Sequence, residues 1–199
     1  MSHLVLASTS PSRKALLAGA GLAFDAVSPG VDEDAIKQSM FAQHASPRSV
    51  ADALAQAKAV KISMRLPGAL VLGCDQMLSY GQNQTLDKPL DMAQARQHLL
   101  ALQGKEHQLI CAAVIALDGK PVWRVVDTAT LTMRTLSDSF IDWYLQSEGD
   151  AVLYSVGAYR LEALGSQLFS RISGDYFTIL GLPLLQLLHY LRDRKVIAS

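Results

Sequence analysis

The chain has 199 residues, half of them hydrophobic and 18% charged, with 18 Lys and Arg against 18 Asp and Glu. That composition excludes a disordered chain and supplies enough apolar side chain for a substantial core, in one domain or two small lobes. Zero net charge argues against a nucleic-acid polymer or a membrane held by bulk charge, no apolar run reaches the roughly 20 residues that span a bilayer, and no basic-then-apolar leader opens the chain.

Leu4, Val5 and Leu6 read as a buried strand, and Ser10-Pro11 as a helix start, with serine capping and proline at the first helical position. The first helical turn favours acidic side chains, because its unpaired backbone N–H groups carry partial positive charge. This one holds Arg13 and Lys14 instead. Each mismatched charge costs about 0.3–1 kcal/mol unless an anion offsets it, so the helix end expects a negative partner. The Gly19–Gly21 stretch ends the helix, "LAFDAVSP" (22–29) reads as a second strand, and "GVDEDAIKQS" (30–39) as an acidic loop or helix start.

A second Ser-Pro signal opens "SPRSVADALAQAKAVKISMRL" (46–66), a long amphipathic helix with Val50, Leu54, Ala57 and Lys58 at helical spacing. Lys58 shares the face of Leu54, so its amine is expected to reach out past apolar neighbours. "GALVLGCDQMLSY" (68–80) is an apolar strand interrupted by Asp75, near its end. Strand ends are where α/β sheets place ligand sites, and a loop-capping aspartate fits the position equally well. A turn over Gly81–Asn83, a polar corner at Asp87-Lys88-Pro89 and a helix from about 91 to 102 follow. Residues 107–133 read as two long strands joined by an Asp118-Gly119 turn, and 136–149 as a capped helix ended by glycine. After an irregular stretch, 166–194 offers a strand, a turn and a terminal helix from about Pro183. Together these elements make a mixed α/β protein on one central sheet, with bending into two lobes left open. Cys74 and Cys111 lie singly in apolar runs and read as buried free thiols of a reducing cytoplasm. The five histidines show no metal-binding spacing, and Met40 and Phe41 read as core.

Two of these signals bear on chemistry. "VDED" (31–34) gathers three acids, suited to Mg²⁺ shared with substrate phosphates or to a solvated loop. Asp75 is a carboxylate among apolar neighbours. No Walker loop, nucleophile elbow or zinc motif is present. The succession "LASTSPSRKALL", "VDE", "AQAKA", "GCDQ", "DKP" and "GLPL" resembles the Maf family of nucleoside triphosphate pyrophosphatases, from residue 4 to about 193.

The resemblance implies a single domain over 1–199 with a Maf/inosine-triphosphatase-like α/β fold. A mixed central sheet is flanked by helices, and a two-lobed form would hold the site in its cleft. It implies hydrolysis between the α and β phosphates, dependent on Mg²⁺ or Mn²⁺. Carried over by position, Ser8, Arg13 and Lys58 bind phosphate, and Lys88 joins them in neutralising the leaving pyrophosphate. Glu33 supports metal or water, and Asp75 accepts the proton and shares the metal. Phosphates would then be the anion that Arg13 expects, in bidentate contact beside the helix N–H groups. Many members carry two arginines after Ser-Pro; Ser12 stands at the first of those positions here and alters contacts to the base. Gln76 and Glu162 match the branch acting on 7-methylguanosine triphosphate, since a carboxylate can accept the guanine N1–H and N2–H together. The alternatives are a dTTP/UTP or broad-specificity pyrophosphatase, or a nucleotide-binding regulator of septum formation with little turnover. The resemblance also suggests a cytoplasmic homodimer whose partner is a nucleoside triphosphate, with no nucleic-acid polymer and no membrane.

Overall fold

The computed structural model describes residues 3–198. Its elements are β1 (Leu4–Ala7), α1 (Pro11–Gly19), β2 (Asp25–Ala26), α2 (Glu33–Ala42), α3 (Pro47–Ser63), β3 (Leu70–Tyr80) and β4 (Gln84–Leu86), then α4 (Met92–Leu102), β5 (Glu106–Leu117) and β6 (Lys120–Met133). They are followed by α5 (Asp138–Glu148), β7 (Phe169–Ser173), α6 (Tyr176–Ile179) and α7 (Leu184–Asp193). Short 3₁₀ turns at 149–154, 156–158 and 164–168 fill the irregular stretch. The strands form a seven-stranded sheet in the order β2-β1-β3-β5-β6-β7, with β4 paired to β3. It is a mixed sheet, since β1 runs parallel to β2 and β3 while β4 and β7 pair antiparallel. No helix among the described residues is long and apolar enough to cross a membrane.

The chain divides into two compact units, the first comprising residues up to Gln76, 111–127 and from Asp175 onward, the second 77–110 and 128–174. In the first, Leu4, Leu6, Leu70, Leu72 and Ile115 on one sheet face pack with Leu17 of α1 and with Leu184, Leu187 and Leu191 of α7. On the opposite face Val5, Ala7 and Val71 meet Ile62 of α3. Helix α3 sits very close there: a Cβ on Gly73 would lie 2.2 Å from the Ala55 carbonyl oxygen and 2.6 Å from the Ala59 nitrogen. Only glycine lets the helix backbone rest directly on β3. In the second unit His107, Tyr159 and Phe169 make a ring cluster, with centroids 4.9–5.9 Å apart.

Several expectations change. Of 22–29 only Asp25–Ala26 pairs, with Val5 and Leu6, because β2 is an exposed edge with a partner on one side alone. Of the two readings of 30–39, the helix start holds: α2 begins at Glu33, capped by Asp32. Met40 and Phe41 are half-buried, since α2 buries no residue fully. On α3 the face of Val50, Leu54 and Lys58 is buried together with Ala51, Ala55 and Ala59, while Ala57 is only half-buried. Asp75 lies mid-strand, two residues past the last β1 pairing at Ala7–Gly73, so the end beside it belongs to β1. Helix α6 is one turn long and carries no periodic signal.

Candidate active site

The contact of α3 with β3 at Gly73 brings Lys58 against Asp75. The Lys58 ammonium lies 2.6 Å from Asp75 Oδ1 and 2.9 Å from Glu33 Oε1. Its side chain is 6% exposed and that of Asp75 8%, against 41% for Glu33. Lys58 therefore does not reach out to solvent as its apolar neighbours suggested; an internal carboxylate makes its burial tolerable. Of the three acids in "VDED", Asp32 is spent on capping, accepting from the Ala35 N–H at 3.0 Å. That cap sets Glu33 as the first residue of α2, with its carboxylate on Lys58. Burial raises the Asp75 pKa above its ordinary value, and the charges of Lys58 and Arg13 oppose that rise. A carboxylate so placed holds a proton more readily than one in water.

Arg13 is held from two sides. Its Nε donates to the Gly181 carbonyl at 2.7 Å and its Nη1 to Ser8 Oγ at 3.3 Å. Buried Ser8 also accepts from the Ser10 N–H at 3.2 Å, and Ser10 Oγ caps α1 through the Arg13 N–H. These hydrogen-bond partners are neutral, and the carboxylate whose charge Arg13 feels, Asp75, is itself paired with Lys58. Gln76 donates its amide hydrogens to the carbonyls of Thr178 and Ile179, both at 3.0 Å. The segment that receives Arg13 and Gln76, residues 175–182, reads in the sequence as a turn leading into "GLPL". Its polar anchors, Thr178 and Asp127, carried no signal of their own.

The remaining predicted residues are more dispersed. Ser12 is half-buried in the first turn of α1, next to Arg13. Lys88 and Glu162 belong to the second unit and are exposed. Lys88 lies in the corner between β4 and α4, before buried Pro89. Glu162 lies 3.5 Å from Arg160 Nε, and Arg160 also pairs with Glu148 at 3.2 Å. Direct contacts thus join Lys58 to Asp75 and Glu33, and Arg13 to Ser8.

No group of three or more His, Cys, Asp or Glu side chains able to hold a metal occurs among the described residues. Glu33 and Asp75 supply two hard oxygen donors, each paired with the same Lys58 ammonium. That set fits a cation such as Mg²⁺, which binds through one or two carboxylates and completes its shell with water and phosphate oxygens.

A family model described as Maf-like protein matches residues 3–194. The chain is 53% identical over 196 residues to a nucleoside triphosphate pyrophosphatase of Hyphomonas neptunium, covering 98% of each chain. It is 50% identical to one of Caulobacter vibrioides over 192 residues, 96% of each. It is also 54% identical to a 7-methyl-GTP pyrophosphatase of Mesorhizobium japonicum, over 95% of this chain and 94% of that one.

Proposed function

The chain belongs to the Maf family, and on that premise we propose that it is a nucleoside triphosphate pyrophosphatase, cleaving the α–β anhydride to nucleoside monophosphate and pyrophosphate. The observation that carries this reading is the cluster in which one buried ammonium is shared by buried Asp75 and the more exposed Glu33. A phosphate-binding protein without turnover has no use for two carboxylates beside its cations, because they weaken anion binding. A hydrolase does: water must lose a proton as its oxygen bonds to phosphorus and the bridging oxygen leaves with pyrophosphate.

Asp75 takes that proton, helped by a burial that raises its affinity for it. Lys58 keeps Asp75 ionised beforehand and neutralises charge on the phosphates. Arg13 binds phosphate with the guanidinium edge that Gly181 leaves unused, with Ser8 and the N–H groups of the α1 start around it. Lys88 is assigned a phosphate-neutralising role on the family resemblance alone. Glu33 and Asp75 would hold Mg²⁺ or Mn²⁺ with the phosphates, and when bound the metal supplies charge neutralisation and a more acidic water.

Both units form one Maf domain in this reading, since the family match spans segments of each. For the base, Glu162 and Gln76 favour 7-methyl-GTP: a carboxylate attracts the guanine N–H edge and repels the O2 and O4 acceptors of a pyrimidine. Gln76 has committed its amide hydrogens to Thr178 and Ile179, so it offers a base its carbonyl oxygen. Ser12 leaves room beside Arg13 where an arginine stands in many members. We place the enzyme in the cytoplasm, in keeping with two buried free thiols, and as a homodimer on the family resemblance alone.

Product chromatography in Mg²⁺ or Mn²⁺ tests the reaction. Monophosphate and pyrophosphate are expected, and accumulation of diphosphate and orthophosphate would overturn it. Glu162→Gln tests the base: the preference for 7-methyl-GTP over dTTP in kcat/KM should narrow by about 1–3 kcal/mol, the worth of a charged hydrogen bond. Equal kcat/KM for the two nucleotides in the unmodified enzyme defeats the specificity and leaves the reaction standing.

A further inference from the structure

We propose that Thr178 and Asp127 are positioning residues that aim Arg13 at the phosphates through the Gly181 carbonyl; this rests on the phosphate-binding role given to Arg13 above. Thr178 is fully buried and ties down all three of its polar groups. Its hydroxyl donates to Asp127 Oδ2 at 2.8 Å, and its N–H to Asp175 Oδ2 at 3.1 Å. Its carbonyl accepts from the Gly181 N–H at 3.1 Å and from Gln76 at 3.0 Å. Asp127 is fixed in turn on β6, where Gln186 of α7 donates to the same oxygen at 3.3 Å. Three residues after Thr178, Gly181 turns through φ +99 and presents its carbonyl to Arg13 Nε at 2.7 Å. A Cβ there would sit 3.5 Å from that nitrogen, in a backbone region side chains rarely adopt.

The chemistry of position 178 argues for more than loop closure. Its neighbours Ile179 and Leu182 are buried and apolar, and an apolar side chain of the same shape would fill the space without the cost of burying a hydroxyl. What the polar pair adds is one defined geometry, because a hydrogen bond from a buried hydroxyl to a half-buried carboxylate fixes direction as well as distance. The Nε contact fixes the plane of the guanidinium, so the edge carrying Nη2 is oriented before substrate arrives. Holding a binding group in its productive orientation is worth large factors in rate and affinity.

The test is a double-mutant cycle. Thr178→Val keeps shape and loses the donor; Thr178→Ser keeps the donor. Each is made in the native protein and in Arg13→Ala, and two quantities are read: KM with kcat for a nucleoside triphosphate, and calorimetric binding of inorganic triphosphate. Thr178→Val should weaken triphosphate binding and raise KM about tenfold, the weight of one hydrogen bond to a charged group, with kcat within about twofold. Thr178→Ser should restore both, and in the Arg13→Ala background Thr178→Val should add nothing. Equal losses in both backgrounds, or native binding by Thr178→Val, overturn the proposal. If Thr178→Val unfolds, Asp127→Asn goes through the same cycle under the same criteria. Intact coupling in the binding data, with no pyrophosphate released by the native protein, would sink the enzymatic reading and leave the positioning role.

Discussion

At the scale of single residues, Lys58 is the side chain on which the most depends. Lys58→Met removes the cation and leaves Asp75 buried without its partner, so unfolding in denaturant should show a loss of about 3–5 kcal/mol, as for other broken buried pairs. Asp75→Asn should cost less, about 1–2 kcal/mol, because Glu33 still faces the ammonium. The double variant should be more stable than the sum of the two losses predicts, since residues in direct contact couple. Turnover separates the two carboxyl roles. Asp75→Asn keeps size and hydrogen-bonding capacity but cannot take a proton, and should lower kcat by about a hundredfold or more under saturating metal. On the phosphate-binding role proposed for it, Arg13→Ala should act on KM, since charge-assisted bonds to the substrate would be lost.

Among elements, the junction of α3 and β3 decides whether the site exists. Gly73→Ala forces a methyl group against the backbone of Ala55 and Ala59, and backbone cannot swing aside as a flexible side chain can. The expected result is a loss of about 1–3 kcal/mol in stability from overpacking. A drop in activity should accompany it, because Lys58 is the neighbour of Ala59 in the displaced contact; calorimetry and kinetics on one preparation check both. The elements themselves were largely readable. Ser10-Pro11 and Ser46-Pro47 open helices as their chemistry requires, and the Asp118-Gly119 turn, with both residues at positive φ, joins β5 to β6. What escaped the sequence was contact across elements. Nothing local to Lys58 says that a strand carboxylate seventeen positions on will meet it, and nothing in "YFTILGLP" marks Thr178 as the anchored residue of its turn. Helical spacing assigned Lys58 correctly to the buried face; only the partner revealed that it stays there.

For the molecule as a whole, His107 sets a pH limit from within the second unit. It is buried, with Nε2 2.8 Å from the Tyr159 hydroxyl and Nδ1 unpartnered among the described residues. Burial lowers its pKa from 6.5 to about 4, so the folded chain resists a proton that the unfolded chain accepts. The stabilisation is complete above pH 6.5 and fades as pH falls through about 4, a change of about 3 kcal/mol from this residue. Urea titrations at pH 7 and pH 4 should show the difference shrink in His107→Gln. Connectivity has a larger consequence, and it concerns how the chain is made. The first unit draws on the segment from Asp175 onward, and its core needs Leu184, Leu187 and Leu191 against strands translated far earlier. On the ribosome, Leu4, Leu6, Leu70 and Leu72 must wait unsheltered until α7 leaves the exit tunnel. A nascent chain stalled at Gly174 already contains Arg13, Glu33, Lys58 and Asp75, yet lacks both α7 and the carbonyl that receives Arg13. Arg13 can therefore take up its hold on Gly181 only after the segment from Asp175 to α7 has emerged.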